Sequence, residues 1–214
     1  MNREETLEVV KKNGPALKYV YTDLLNDREI VLAAVKNYGP SLGYASIELR
    51  NDKEIVLEAV KQGGLNIWYA SEKLQNDKEI VLEAVKQNGW ALGYTSKELR
   101  NDREIVMIAM KQKGQALGFA SKELQNDKEI VLEAVKNDGR ALQFASKELQ
   151  NDEEVILKLE LPFRIKKLEG IIKIGCMTKT KEEWLNTPFE EVQKELLNSK
   201  PLYDRYIKLI KELK

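Results

Sequence analysis

Residues 77–101 read DKEIVLEAVKQNGWALGYTSKELRN, and this stretch decides the fold because it recurs along the chain. Slid against itself, the sequence matches at a period of 25 residues, with glycine at Gly14, Gly39, Gly64, Gly89, Gly114 and Gly139. An acidic or amide residue opens each unit, at Asn2, Asp27, Asp52, Asp77, Asp102 and Asp127. Six units without insertion or deletion therefore fill residues 2–151. A fixed period of this length is the mark of a stacked-repeat architecture.

Within residues 77–101 the spacing predicts two helices joined at the glycine. Asp77 suits an N-cap, because its carboxylate accepts from the free amides of the first turn, and Glu79 complements the helix dipole there. Ile80, Val81, Leu82, Ala84 and Val85 form a wide apolar stripe, as in a helix with neighbours on more than one side. Lys86 suits the carbonyl end, and Gly89 suits a left-handed C′ residue. Leu92, Thr95, Ser96 and Leu99, at i, i+3, i+4 and i+7, with Ala91 and Tyr94 beside them, predict a second, shorter helix.

The copies serve as their own comparison. Three rows hold their apolar character: Leu17, Leu42, Ile67, Leu92, Leu117 and Leu142; Tyr19, Tyr44, Tyr69, Tyr94, Phe119 and Phe144; and the leucines from Leu24 to Leu149. These rows are expected to form a continuous core. One such unit buries too little surface to offset chain entropy, so stacking on neighbours must supply the stability.

The pattern D-[KR]-E-I-V-L-E-A-V-K-x-x-G-x-A-L-x-[YF]-A-S-K-E-L-[RQ]-N resembles the bacterial repeat catalogued as domain of unknown function 4116. The resemblance runs through all six copies. It implies short tandem helical repeats of bacterial proteins, some of them similar to secreted effectors, and it brings no catalytic residue. Asn2 for Asp, Tyr21 for Ser, and Asn66-Ile67-Trp68 for Ala-Leu-Gly depart from the pattern.

From Asp152 a seventh copy begins, Asp152-Glu153-Glu154-Val155-Ile156-Leu157, and Pro162 then predicts a break near Glu160-Leu161. Residues 163–174 alternate basic and apolar side chains around Gly170; helix is favoured by the helical neighbours, while Ile171, Ile172 and Ile174 suit a strand. Thr180-x-x-Glu183 and Thr187-Pro188-x-Glu190 read as capping boxes, and Pro201 as the opening of a last helix with Leu202, Tyr206, Leu209 and Ile210 on one face. Because a repeat array ends in a raw apolar surface, residues 152–214 are expected to be a helical cap. The competing reading is a separate interaction module carrying Trp184 and Phe189. The fold class is thus all-α: an α-solenoid of six helix-turn-helix repeats with a helical C-terminal cap.

Composition narrows the chemistry. The chain of 214 residues has no histidine, one cysteine, and 35 basic against 35 acidic side chains. Without histidine, the commonest general base, the Ser-His and Cys-His nucleophile pairs and the usual nitrogen ligand of zinc are missing. Cys176 alone makes neither an intrachain disulfide nor a thiolate cluster, and is expected to be a buried inert thiol. The glutamates Glu29, Glu54, Glu79, Glu104 and Glu129 could be imagined as paired catalytic acids, but each recurs at a helix N-terminus, where dipole compensation explains it. No phosphate loop, G-x-S-x-G or dinucleotide fingerprint appears. No enzyme activity, cofactor or metal is expected; activity residing in the tail is a remote alternative. The short apolar runs fall below a membrane span. With no signal peptide visible, the expected location is cytoplasmic, or a host cytoplasm reached without a cleaved leader.

Stacking places Lys11, Lys36, Lys61, Lys86, Lys111 and Lys136 in one column and Arg28, Lys53, Lys78, Arg103 and Lys128 in another. Basic columns can track a phosphate backbone, which makes a nucleic-acid or nucleoprotein binder the main alternative function. Yet residues 2–151 carry 22 basic and 23 acidic side chains, and lysines with helix-end or i,i+3 partners such as Glu83 and Lys86 read as a solvated face.

Partner recognition is expected where the copies disagree. The residue after the glycine runs Pro15, Pro40, Leu65, Trp90, Gln115, Arg140; three further on it runs Lys18, Gly43, Trp68, Gly93, Gly118, Gln143; one before the glycine it runs Asn13, Tyr38, Gly63, Asn88, Lys113, Asp138. Tyr38, Leu65, Trp68, Trp90, Lys113 and Arg140 are therefore the candidate contacts of a protein partner, since exposed aromatics anchor interfaces. The competing reading of Trp68 and Trp90 is that they fold over a neighbouring unit.

Overall fold

In the computed structural model the described residues are 1–158, 165–168, 171–174, 177–191 and 200–212. Cys176, Pro162, the break at 160–161 and Gly170 lie outside them. The chain forms the expected α-solenoid. Each unit opens with an α-helix: Arg3–Lys12, Arg28–Asn37, Lys53–Gln62, Lys78–Gln87, Arg103–Gln112 and Lys128–Asn137. The aspartates cap as expected; Asp77 Oδ1 accepts from Glu79 N at 3.0 Å and Ile80 N at 3.2 Å. Each helix packs on the next, forming one layer, and the rest of each unit forms a second layer.

The second layer departs from the expected α-helix. After each glycine the chain winds as a six-residue 3-10 helix, Gly89–Tyr94 in unit 4, and then opens at an extended residue, Thr95 or its equivalents. In units 2, 3, 5 and 6 the following serine contributes. The Ser46, Ser71, Ser121 and Ser146 amides donate to carbonyls of the preceding unit, Leu25, Arg50, Arg100 and Gln125, so the bond that would continue a helix is spent between units. The serine hydroxyls then cap a final short turn, as Ser121 Oγ does for Leu124 N at 3.1 Å.

The glycine also has a different role from the one its position suggests. None of Gly14, Gly39, Gly64, Gly89 and Gly114 has a positive φ; Gly64 opens its 3-10 helix directly after an extended C-cap, Gly63. What these five lack room for is a side chain. A Cβ at Gly64 would press on the Ala84 carbonyl of the next helix and lie 3.0 Å from Asn88 N. Close approach of neighbouring backbones, and not a left-handed turn, fixes the row.

The core is a continuous sheet of apolar contact between the two layers. Ile30, Ile55, Ile80, Ile105 and Ile130 and the row Leu17 to Leu142 are all essentially sealed from water. The aromatic row joins the expected core only in part. Tyr69, Tyr94 and Phe144 are half-buried against the core, while Tyr44 and Phe119 are more exposed and Tyr19 is 80% exposed.

In the tail, the helix Glu153–Lys158 takes the place of a seventh unit helix, with Asp152 accepting from Val155 N at 3.1 Å and Val155 buried on the unit 6 helix. Where helix was favoured, three antiparallel strands stand, Ile165–Leu168, Ile171–Ile174 and Met177–Lys179, with Ile165 opposite Ile174 and Ile174 opposite Met177. The β-branched Ile165, Ile171, Ile172 and Ile174 suit extended backbone, and this preference outweighs the helical neighbours. The Thr180–Glu183 capping box forms and starts the helix Lys181–Asn186. Thr187 instead donates to the Glu183 carbonyl at 2.6 Å and accepts from Lys179 Nζ at 3.0 Å. Trp184 is buried with Tyr203, Tyr206 and Ile210 of the last helix, Lys200–Glu212, and Phe189 packs on Tyr203 with ring centroids 5.6 Å apart. Trp184 is thus core, not an exposed contact. Arg205 Nη1 donates to the Ile156 carbonyl at 2.9 Å and ties this helix to the seventh-unit helix.

Candidate partner-binding edge

The 3-10 winding determines what the variable positions do. With three residues per turn, the residue after the glycine and the one three further on share a face. Leu65 lies above Trp68 in this way, and Trp90 above Gly93. The next unit's ring then covers the second member of the pair: Tyr69 over Gly43, where a Cβ would come within 2.7 Å of the ring, Phe119 over Gly93, and Phe144 over Gly118. Unit 3 puts Trp68 at this site, and Tyr94 meets it edge-on with centroids 5.1 Å apart. Trp90 meets Phe119 the same way at 5.8 Å.

Both tryptophans touch a neighbouring unit, but to different degrees. Trp68 remains 61% exposed, whereas Trp90 is half-buried against the core. Tyr38 and Lys113 are exposed helix C-caps whose Cβ atoms crowd Gly14 and Gly89, and Leu65 is exposed. Arg140 is exposed and paired with Asp138 at 2.9 Å. Hydrogen bonds from Arg140 and then Gln115 outweigh the opposing effect of burial and hold the Asp138 carboxylate down at about 2. Leu65 and Trp68 share a face; the other candidates are distributed along the edge, one per unit, and meet in no common pocket. Sequence reasoning missed Tyr19, Tyr21, Tyr44 and Ile47, all exposed. Ile47 was detectable, because it breaks the row Thr22, Ile47, Glu72, Lys97, Lys122, Lys147.

The two basic columns prove unlike. The residues at the first helical position form a ladder between units: Arg3 binds Asp27 and Glu29, Arg28 binds Asp52 and Glu54, Lys53 binds Asp77 and Glu79, and the pattern continues through Lys128 with Asp152 and Glu154. Each aspartate therefore caps its own helix and binds the unit before it. This column is already neutralised by protein carboxylates. Lys36, Lys61, Lys86, Lys111 and Lys136 are exposed and make no ion pair among the described residues. The i,i+3 pair that does form is Glu8–Lys11 at 2.9 Å, while Glu83 takes Gln87 instead of Lys86.

A cleft of about 540 Å³ in the tail gathers Lys179, Glu182, Glu183 and Glu191. Lys179 is committed to Glu191 at 2.7 Å, and Glu183 accepts from Thr180 N at 2.7 Å. Among the described residues no cluster of acidic or thiol side chains is arranged to hold a metal ion, and no helix is long and apolar enough to cross a membrane.

No curated protein and no solved structure matches the chain. One family model matches it at residues 2–50, 27–75, 52–100, 77–125 and 127–159, each full match spanning two adjacent units of the ladder just described. With most of its length so matched, the chain belongs to the repeat family described as Domain of unknown function (DUF4116).

Proposed function

We propose that this chain is a non-catalytic protein-binding scaffold, acting as an adaptor or as an inhibitor of a partner protein. The observation that carries the reading is the concentration of exposed apolar side chains on the second layer of units 1 to 3. Tyr19, Tyr21, Tyr38, Tyr44, Ile47, Leu65 and Trp68 lie there, while units 4 to 6 add only Phe119 among the described residues. Apolar exposure gathered in one region of a charge-balanced surface marks an interaction site. The test is affinity capture from a bacterial or host-cell lysate with the chain and with its Tyr38→Ser, Leu65→Ser, Trp68→Ser triple variant. A partner retained by the first and lost by the second, at unchanged melting temperature, supports the reading; capture that is unaffected by the triple change refutes it.

A second reading, a nucleic-acid or nucleoprotein binder that antagonises a nucleic-acid-processing complex, draws on the exposed lysines Lys36, Lys61, Lys86, Lys111 and Lys136. It requires oligonucleotide binding that weakens steeply with salt. No binding at low salt eliminates it.

A further inference from the structure

A groove of about 510 Å³ runs between units 5 and 6, lined by Gly118, Lys122, Gln125, Gln143 and Phe144 among others. Three contacts build it. The Ser146 amide donates to the Gln125 carbonyl at 2.9 Å, the Ser146 hydroxyl donates to Asn126, and the Phe144 ring covers Gly118. The same three contacts join units 2 and 3: the Ser71 amide to the Arg50 carbonyl at 2.9 Å, the Ser71 hydroxyl to Asn51 at 2.6 Å, and the Tyr69 ring over Gly43. Position for position, the unit 2–3 junction places Gly43, Ile47, Arg50, Trp68 and Tyr69 where that groove has its lining.

Its chemistry is different. Ile47, 71% exposed, stands where Lys122 does, and Trp68 stands where Gln143 does. Arg50 replaces Gln125. Elsewhere this position satisfies the carbonyls of its own 3-10 helix: Arg100 Nη2 donates to the Gly93 carbonyl at 2.8 Å and Nε to that of Thr95 at 3.0 Å, and Gln75, Gln125 and Gln150 donate likewise. Arg50 does not. Its Nε is buried without a hydrogen-bond partner, and no carboxylate among the described residues lies within ion-pair distance. Glu72 and Lys73, at the positions of Lys147 and Glu148, offset each other, so Arg50 is the uncompensated charge of the groove.

We infer that the groove between units 2 and 3 receives a segment of a partner protein bearing a carboxylate flanked by apolar side chains. The planar guanidinium matches a carboxylate in geometry and charge, and the Ile47 and Trp68 rims supply apolar contact that shields the pair from water. The inference rests on the protein-binding reading and names the chemistry of its partner.

The test uses the full chain and a displayed library of random heptapeptides, with selected sequences resynthesised as fluorescent peptides for anisotropy titration. Arg50→Gln, Ile47→Lys and Trp68→Gln each import the residue that a sister unit carries, so the fold is preserved, and melting curves check this. The expected result is selection of peptides with Asp or Glu beside Leu, Ile or Phe. Their affinity falls at least about tenfold in Arg50→Gln. Replacing the peptide's acid by its amide costs the same on the native chain and nothing on Arg50→Gln. Selection of peptides without an acid, or affinity indifferent to Arg50→Gln, overturns the inference. A captured protein whose binding survives Arg50→Gln and Ile47→Lys but is lost with Tyr38→Ser also overturns it, while leaving the protein-binding reading in place.

Discussion

Unit 3 contains two consecutive glycines, and the structure assigns them opposite responses to a single added methyl. At Gly64 a Cβ would lie 3.1 Å from the Ala84 carbonyl carbon and 3.0 Å from Asn88 N, inside the roughly 3.5–4.0 Å at which carbon contacts are favourable. The obstacle is helix backbone, which cannot rotate away as a side chain can. Overpacking of this kind costs about 1–3 kcal/mol. The methyl also abuts the Asn88 N to Ala84 O hydrogen bond, 2.8 Å long, whose distortion adds up to about 1 kcal/mol. Gly63, one residue earlier, has φ −172° and meets nothing closer than Asn66 Nδ2 at 3.5 Å. Alanine there restricts the unfolded chain and stabilises by about 0.4–1 kcal/mol. Urea unfolding followed by circular dichroism should therefore show Gly64→Ala destabilised by about 1–4 kcal/mol and Gly63→Ala slightly stabilised. Gly64→Asn separates the causes, since asparagine tolerates a left-handed backbone but is larger than alanine. A Gly64→Asn variant more stable than Gly64→Ala would refute the close-approach account of the whole glycine row.

Other consequences are as direct. Leu92→Ala, at a fully buried site, should cost about 2–5 kcal/mol in the same assay, and a loss under about 1 would remove it from the core. Hydrogen bonds from Arg3, Lys53 and Lys128, together with helix amides, hold the carboxylates of Asp27, Asp77 and Asp152 below their ordinary value, and Asp138 is held at about 2. A carboxylate depressed in the folded state is protonated first in the unfolded chain, so stability should be full above about pH 4 and decline toward about pH 2. A urea midpoint that stays flat across that window would contradict the ladder's role. Ending the chain at Asn151 removes the buried Val155 and the half-buried Ile156 from the unit 6 surface, and at about 1.5–3 kcal/mol for a fully buried side chain it should destabilise the array by at least about 2 kcal/mol or aggregate it. A soluble array of unchanged stability would instead make the tail a separate module.

Much of this was legible because a repeat states its packing problem six times. The period, the aspartate caps and the isoleucine and leucine rows follow from residues that answer to their own helix. What was not legible depends on the neighbouring unit. The second segment carries a helical pattern, but in units 2, 3, 5 and 6 the amide that would continue it bonds across units. Gly89 looks like a helix terminator within its own unit, and only the Ala109 carbonyl of the next shows why no side chain fits. The Tyr19 row looks apolar enough for the core, yet only Tyr69, Tyr94 and Phe144 pack against it, each half-buried. The ladder did leave a signal, because a base and its two acids stand 24 and 26 residues apart, as Lys78 does from Asp102 and Glu104. The tail strands were ambiguous for a physical reason: β-branched isoleucines suit a strand, while the helical neighbours favour a helix. Of the edge candidates, Trp68 and Leu65 emerge exposed and adjacent, while Trp90 is divided between surface and core.

The ladder has a direction. Each unit offers its cation forward and its carboxylates backward, so every junction presents the same plug to the same socket. Units 2 to 6 are consequently interchangeable in kind: removing or duplicating one in a 25-residue step leaves every remaining plug facing a matching socket. Length in such a chain can change by recombination without redesign of the core, and the reach of the binding edge becomes a quantity that is altered by counting units and not by reshaping them.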